Sequence, residues 1–438
     1  MSLNNKVGWI ACATSAVIAG SALASTTPAD TDARIASLEA QIQALKTEQE
    51  QSNWLNMNSE ELLALQQEVL ADSQTQTSLL SAGADAGWDR YFYLSSADGD
   101  FRLRVQGQSQ FRFVWSHRDE ADFQDDDVAD FELSRTKLIF LGQLWQDLEF
   151  KIQGDFSQND GNFGLEDAYG IWNLGNGWGL QWGQFKAPVL REELVSSSRQ
   201  QAVERSYVNE LATGGRTQGV AVLYANDEDS FRFWGSFNDG ANSENSDFSD
   251  DQVEYAFTGR VEAVIEGDGF SQFADLSSFR DDEFGWLLGG AVHWQEDNYG
   301  TGADEVETLL WTVDTQVEFG GANIFAYVVG AHGESNDGTT EFDQFGWLVQ
   351  GGYFLTDDWE IFGRFEWYDF DDVNNVDEFS AVTAGVNWYN QSHAWKWQTD
   401  VVYALDPVPA SVNGLGLLAD TDDNDGQIAF RTQMQFLF

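Results

Sequence analysis

The sequence predicts an all-β protein, a 16-stranded antiparallel transmembrane β-barrel preceded by an N-terminal helical segment that forms a short coiled coil. Aromatic residues make up 14% of the 438 residues, and there are 41 glycines but only 4 prolines. Beyond the N-terminus, no apolar run reaches the ~18 residues that a membrane-spanning helix requires. From residue 100 onward, apolar and polar residues alternate in segments whose connections are short and long in turn. These features are typical of a barrel that crosses a membrane with strands.

The net charge excludes one class of partner. The chain has 73 acidic residues against 22 lysines and arginines, which gives a formal charge of -51. Like-charge repulsion makes nucleic acid a poor partner for such a chain. High charge is also typical of disordered proteins, but those are poor in aromatic residues and rich in proline. The composition therefore favours a folded protein.

The N-terminus carries an export signal. Lys6 precedes an apolar stretch over residues 7–23, and the small residues Ala22 and Ala24 flank Leu23 as in a cleavage site. We predict a signal peptide over residues 1–24. Cys12, the one cysteine, falls inside it, so neither disulfides nor thiol chemistry are expected in the exported chain.

Residues 25–85 are predicted to be a periplasmic helical segment with a linker. Four apolar residues recur at spacings of three and four, as in the seam of a coiled coil: Ile35, Leu38, Ile42 and Leu45. This seam is too short to decide the number of helices, and a single helix that packs on another surface is the alternative. Residues 73–89 are expected to be a flexible link to the barrel over residues 90–438.

Sixteen alternating segments are the predicted strands. Their connections alternate in length, which in bacterial outer-membrane barrels places short turns and both termini on the periplasmic side. The connection 267–282 breaks this rule, so either it carries an insertion or the strand count slips there. The terminal Phe438 closes an amphipathic last strand, as is typical of such barrels. The predicted strands are 101–116, 130–142, 147–157, 164–174, 178–186, 217–225, 230–238, 253–266, 283–295, 307–319, 322–332, 343–355, 358–370, 379–390, 393–405 and 427–438.

Basic residues concentrate in one part of the barrel. Residues 90–216 contain 13 of the 22 lysines and arginines. Rings of such residues are how anion pores select their ions, and the planar guanidinium of arginine suits oxyanions. The alternative, left open, is that they pair with lumen carboxylates and create the transverse field of a general porin. Strand alternation directs six of them into the lumen as pore-lining residues: Arg102, Arg104, Arg112, Lys151, Arg232 and Arg260.

Motifs around the longest connection resemble those of a known family. The segments 183–188 (GQFKAP), 193–198 and 203–206, with Arg135-Thr136-Lys137-Leu138 upstream, resemble the phosphate-selective porin O and P family. The resemblance implies a trimeric porin of the bacterial outer membrane whose third loop, 187–216, enters the lumen and guides anions. The matching basic positions that it implies as anion-binding are Lys186, Arg191, Arg199, Arg205 and Arg216.

The expected function is passive diffusion of small hydrophilic solutes, with a family-implied preference for anions such as phosphate. Membrane lipid and lipopolysaccharide are the expected surroundings, and no cofactor, metal or catalytic residue is expected. The alternative is a general or cation-leaning porin whose acidic loops bind divalent cations. A role as an adhesin or structural tether, in which the coiled coil reaches periplasmic partners, could coexist with transport. A barrel enzyme is disfavoured because none of the four histidines lies in a recognisable catalytic motif.

Overall fold

The computed structural model describes most of the chain from residue 84 onward. The predicted signal peptide and coiled coil lie outside these residues. The described ranges are 84–89, 91–118, 126–157, 161–247, 253–297, 305–339, 341–371, 377–412, 414–420 and 426–438.

Sixteen strands form a closed antiparallel barrel, which confirms the predicted fold class. A hairpin of β1 (Ala84–Asp89) and β2 (Tyr91–Ser96) precedes it. Closure is achieved where the last barrel strand pairs with the first, from Ile428 opposite His117 to Leu437 opposite Gln108. The barrel strands are β3 (Phe101–His117), β4 (Asp127–Leu144), β5 (Leu148–Asp155), β6 (Gly164–Gly175), β7 (Trp178–Lys186), β8 (Arg216–Ala225), β9 (Phe231–Asn238), β10 (Tyr255–Glu266), β11 (Phe284–Glu296), β12 (Val306–Phe319), β13 (Ala322–Ser335), β14 (Glu341–Phe354), β15 (Trp359–Asp369), β16 (Glu378–Tyr389), β17 (Trp395–Ala404) and β18 (Gln427–Leu437).

The hairpin corrects one prediction, because residues 84–89 are a strand and not a flexible link. β18 leaves β3 at Gln108, and β2 continues the same edge of β3, from Val105 opposite Phe92 to Arg102 opposite Ser95. The first residues of β3 extend beyond β18, so β2 satisfies backbone groups that would otherwise form an open edge. The sequence of β1 shows no regular hydrophobic alternation, which is why it was missed.

The strands alternate between a lipid-facing and a lumen-facing side. On β12, Trp311 and Val313 are exposed on the outside, whereas Thr312 and Asp314 are almost fully buried on the inside. This period of two is the pattern that predicted the strands. No helix among the described residues combines the length and the hydrophobicity needed to cross a bilayer.

The two ends of the barrel differ. We call the end where β3 begins and β18 finishes the terminal end, and the opposite one the loop end. Most turns at the terminal end are short, such as the two residues 320–321 between β12 and β13. The exception is the connection of β10 to β11, residues 267–283, which we call the insert. It is an insertion that folds into the lumen, and the strand count does not slip.

The hydrophobic core lies inside the barrel on one side. Three connections supply it from within: the third loop (187–215), the insert, and the last loop (405–426). Their buried side chains pack against lumen-facing residues of β12 to β18, such as Phe325 and Val402. We therefore call β10–β18 the filled half and β4–β8 the open half. The core residues that come from the three connections include Val189, Leu190, Tyr207, Val208, Leu276, Val408, Val412 and Leu417.

Candidate functional site

The third loop contains three short helical turns, and serines of the loop cap the second and the third. They are α1 (Arg191–Leu194), a 3₁₀ turn over Ser197–Arg199, and α2 (Tyr207–Ala212). The hydroxyl of Ser206 accepts a hydrogen bond from the backbone N–H of Asn209 at 3.0 Å, which is the usual cap of a helix N-terminus. These turns give the loop a fixed shape inside the lumen.

Lumen-facing side chains of the filled half fix the backbone of this loop. The amide of Gln398 donates to the carbonyl groups of Gln200, Gln201 and Ala202 at 3.0–3.1 Å. The ammonium of Lys396 also donates to the Gln200 carbonyl, at 2.8 Å. Because these backbone groups are buried, each would be costly to leave unpaired. The polar wall of the filled half therefore serves to hold the loop.

The insert supports the loop from the terminal end. The N–H of Leu276 donates to the carbonyl of Arg199 at 3.3 Å, and the guanidinium of Arg191 donates to the carbonyl of Phe273. The wall holds the insert in turn, since Gln316 donates to the carbonyl of Asp275 at 2.6 Å. The insert and the third loop thus form one connected body that occupies the filled half.

The other side of the loop faces a cavity of about 590 Å³ against the open half. Ten of its lining residues are charged, six of them basic and four acidic. The basic ones are Arg135, Lys137, Lys151, Lys186, Arg205 and Arg216, and the acidic ones are Glu166, Asp167, Glu193 and Glu210.

Two β-bulges bring the strand residues of this cavity together. On β4 the register shifts at Ser134, so that Leu133 stays on the outer face while Arg135 and Lys137 turn inward. On β6 a second shift lets the consecutive residues Glu166 and Asp167 both reach the lumen. An extra residue in one strand reverses the facing of every residue that follows it, and bulges are frequent near functional sites.

Three of the four carboxylates of the cavity are each held by two cations. Asp167 lies 2.6 Å from the ammonium of Lys151 and 2.8 Å from the guanidinium of Arg216. Glu166 contacts Lys137 at 2.6 Å and Arg216 at 3.6 Å. These pairs fix the cations in position, and the cations outnumber the carboxylates that hold them. The lining is therefore positive.

Glu193 repeats this arrangement on the loop. Its carboxylate contacts Lys186 at 2.9 Å and Arg205 at 3.1 Å. Burial alone would raise the pKa of Glu193, but the charges of Arg205 and Lys186 lower it to about 2. Glu193 is therefore ionised at neutral pH, and it holds both cations at the cavity edge.

Two smaller cavities continue the passage toward the terminal end. One, of about 320 Å³, shares Lys151, Tyr169 and Ile171 with the central cavity. The other, of about 460 Å³, adjoins it at Ile171. We call these two the vestibule, and its charged lining residues are Arg102, Arg104, Glu149, Lys151 and Arg232.

The structure separates the basic residues singled out from the sequence into two groups. One group lines the cavity or the vestibule: Lys186, Arg205, Arg216, Lys151, Arg102, Arg104 and Arg232. The second group bonds to protein groups away from these spaces: Arg112 to Glu204, Arg191 to Glu262, Arg199 to the Ala274 carbonyl, and Arg260 to Asp314.

Sequence reasoning missed two lining residues, Arg135 and Lys137. Extending the outward alternation of Phe131 and Leu133 places both on the lipid face, and the bulge at Ser134 reverses this. The signal that could have found them was present, because two adjacent basic side chains facing lipid would be costly.

Comparisons with known proteins agree with the fold. A family model described as phosphate-selective porin O and P matches residues 108–272, which confirms the resemblance over the part of the chain that forms most of the cavity. A comparison with curated proteins gives no match.

Solved porin structures share the barrel. An anion-selective porin from Comamonas acidovorans is 13% identical with a TM-score of 0.57, covering 77% of this chain and 100% of that one. The outer membrane channel DcaP of Acinetobacter baumannii is 13% identical with a TM-score of 0.54, covering 78% and 99%. Salmonella typhi OmpF, in complex with daunomycin, is 14% identical with a TM-score of 0.51, covering 77% and 98%. The family match and the barrel fold point to a channel of the bacterial outer membrane, not to an enzyme.

Proposed function

We propose that this chain is a passive outer-membrane channel for small hydrophilic solutes that prefers anions, phosphate among them. The observation that carries the proposal is the lining of the central cavity, where six cations face four carboxylates. Three of those carboxylates, Glu166, Asp167 and Glu193, are occupied by ion pairs. A passing anion therefore meets positive groups that are already fixed in position.

The paired arrangement suits transport better than tight binding. Two unit charges 4 Å apart interact by about 1 kcal/mol in water and by about 4 kcal/mol at an effective dielectric constant of 20. Because each cation shares its charge with a carboxylate, its attraction for a passing ion lies toward the weaker limit. Conduction requires sites that attract an ion and also release it. A series of weak sites along the central cavity, from Arg135 to Lys151, meets that requirement.

The acidic surface does not contradict an anion preference. Exposed carboxylates such as Asp126, Asp247 and Asp371 lie on connections at the loop end. At physiological ionic strength, the field of an exposed charge is largely screened beyond about 8 Å. The residues next to the ion therefore decide its preference, and the acidic loops act mainly on the rate at which ions arrive.

We further propose a homotrimer in the outer membrane, with the segment before residue 85 in the periplasm. A trimer form of the outer membrane protein OmpT of Vibrio cholerae, 13% identical with a TM-score of 0.51, supports the trimer. The apolar outer face of the strands suits contact with lipid and with other copies of the barrel. Lipopolysaccharide would contact the loop end.

The alternative is a general or cation-leaning channel whose acidic loops bind divalent cations. Among the described residues, no group of three or more His, Cys, Asp or Glu side chains is arranged to hold a metal ion. The anion preference rests on the lining of the cavity, whereas this alternative rests on the loops and predicts either no ion preference or a preference for cations.

Reversal potentials in planar bilayers under a potassium chloride gradient decide between them. We expect a potential that corresponds to chloride carrying most of the current. Added phosphate should reduce the chloride current by occupying the same cavity. A potential that corresponds to cation preference would contradict the proposal and favour the alternative.

A further inference from the structure

Part of the passage wall is apolar, although the lumen of a water-filled barrel is ordinarily polar. Ile171 on β6, Leu223 on β8 and Trp234 on β9 all line the passage and are all partly exposed to it. We call these three residues the apolar patch.

The apolar patch is continuous. Leu223 and Trp234 are directly paired across β8 and β9, so their side chains lie side by side on the lumen face. Gly179 lies between Leu223 and Ile171: a Cβ atom there would be 3.5 Å from Ile171 Cγ2 and 3.7 Å from Leu223 Cδ1. Gly179 is itself buried, so the side chains of Ile171 and Leu223 meet over it and form one apolar surface.

The patch occupies a central place in the passage. Ile171 lines the central cavity and both parts of the vestibule, while Leu223 and Trp234 line the central cavity and the larger part of the vestibule. A solute that moves between the loop constriction and the terminal end must therefore pass it.

Cations surround the patch. The vestibule lining holds Arg102, Arg104, Lys151 and Arg232, and its one described carboxylate is Glu149. The guanidinium of Arg232 lies over the Trp234 ring, 4.7 Å from its centre. Arg104 makes no ion pair with any described residue. Positive charge and apolar surface therefore face the same space.

We infer that the channel takes organic anions with an apolar body, such as carboxylates or sulfonates that carry an aromatic or aliphatic group. This inference rests on the proposed anion preference. An inorganic anion interacts with the cations but gains nothing from the apolar patch. An organic anion of this class places its charge near Arg104 or Lys151 and covers Ile171 and Leu223, which removes apolar surface from water. Trp234 adds an aromatic ring to the same wall, which an aromatic solute can contact.

The test compares benzoate with phosphate as blockers of the chloride current through single channels. We expect benzoate to block at a lower concentration than phosphate. The variants Ile171→Thr and Leu223→Thr keep a strand-compatible side chain in each position but add a hydroxyl. Each should raise the half-blocking concentration of benzoate about fivefold, on the order expected for one or two apolar groups left uncovered, and shift the half-blocking concentration of phosphate by much less.

Val222→Thr is the matched control, because Val222 neighbours Leu223 on the outer face of the same strand. It should leave both block by benzoate and the chloride selectivity of the channel unchanged. Benzoate that blocks no better than phosphate in a chloride-selective channel would overturn the inference alone. So would benzoate block that survives both lumen substitutions. A channel without chloride selectivity would instead overturn the proposed function and the inference with it.

Discussion

The open and the filled half of the lumen carry similar inward-facing charges, but in the filled half these charges hold buried segments, whereas in the open half they face the cavity. In the filled half, the side chains of Arg260 and Asp314 are completely buried and lie 2.7 Å apart. In the open half, the pair of Lys151 and Asp167 has a similar distance, 2.6 Å, but the lysine is 22% exposed to the cavity. An arginine or lysine that points into a barrel thus contributes to transport only if no inward-folded segment covers it.

Deletion of the insert should have the largest effect on the difference between the two halves. Replacing residues 267–283 by a two-residue turn, like the one between β12 and β13, would remove Leu276 from the core and leave the Arg199 carbonyl without its donor. We expect a larger and noisier single-channel conductance, with lower ion selectivity, because the third loop loses its support and the filled half opens to water.

The matched control for this deletion is the single substitution Leu276→Ala, which leaves the backbone of the insert in place. It should change the conductance less than the deletion does. A deletion channel with the conductance and selectivity of the unmodified chain would show that the insert does not hold the loop.

The second-largest difference is expected in how much a substitution in each half lowers the free energy of unfolding. Asp400 in the filled half is buried, bonds to Arg431 at 2.8 and 2.9 Å, and accepts the N–H of Val203 at 2.9 Å. Asp400→Asn should lower the free energy of unfolding by about 3–5 kcal/mol, because it leaves a buried cation without its counter-charge. Asp167→Asn in the open half should cost less, about 1–3 kcal/mol, because its partners Lys151 and Arg216 are 22% and 16% exposed and keep access to water.

Urea unfolding in lipid vesicles, followed by tryptophan fluorescence, measures both values. If the two substitutions lower the free energy of unfolding equally, the two halves do not differ in their access to water, which would contradict the division.

The strand pattern was predictable from the sequence because lipid imposes it. The outer face must be apolar over its whole height, so alternation alone located every barrel strand to within three residues at each end. The hairpin strand β1 was not predictable in this way, because it lies beyond the barrel and needs no lipid-facing side. The destination of the insert was not predictable either, since its hydrogen bonds join residues that are far apart in the chain.

The candidate site was predictable only in part. The family motifs predicted Lys186, Arg205 and Arg216 as site residues, and strand alternation predicted Lys151. All four line the cavity. Which arginines are covered depends on tertiary contacts, so Arg191 and Arg260 could not be told from lining residues by sequence alone. Arg135 and Lys137 were hidden by a bulge of a single residue.

Charge removal from the cavity should have a moderate effect on selectivity. Lys137→Gln and Arg216→Gln each remove a cation from the lining. Each should weaken the preference for chloride over potassium by about 1 kcal/mol, roughly fivefold, as expected for a unit charge about 4 Å from an ion in a wet lumen. The measurement is the reversal potential under a salt gradient.

Arg280→Gln is the control for charge. Arg280 lies on the insert, half-exposed and outside the cavity; its guanidinium donates to the carbonyl groups of Phe354 and Leu355 at 2.8 Å and makes a weak 3.8 Å contact to Asp357. It changes the net charge by the same amount, so a loss of selectivity as large as that of Lys137→Gln would mean that overall charge, and not the cavity, selects ions.

A smaller effect is expected from pH through Glu210 on α2. This side chain is exposed to the cavity but enclosed by the barrel, and this desolvation together with the negative charges of Glu204 and Glu193 raises its pKa to about 7. Glu210 is therefore charged above pH 7 and neutral below it. Lowering the pH from 8 to 6 should increase anion selectivity, because the lining loses one carboxylate.

In Glu210→Gln, selectivity at pH 8 should already match the higher value, and the dependence on pH should be weaker than in the unmodified chain. A pH dependence of the same size in both proteins would assign the titration to other groups.

The most direct test of the division into halves is the accessibility of an introduced cysteine to a negatively charged thiol reagent during current recording. Cys12→Ser provides a background without cysteine. Ser196 is exposed on the cavity side of the third loop, whereas Thr383 in the filled half is almost fully buried. A methanethiosulfonate reagent that carries a sulfonate should reduce the current through Ser196→Cys within the recording and leave Thr383→Cys unchanged. Rapid modification of Thr383→Cys, with Ser196→Cys protected, would contradict an ion path along the open half.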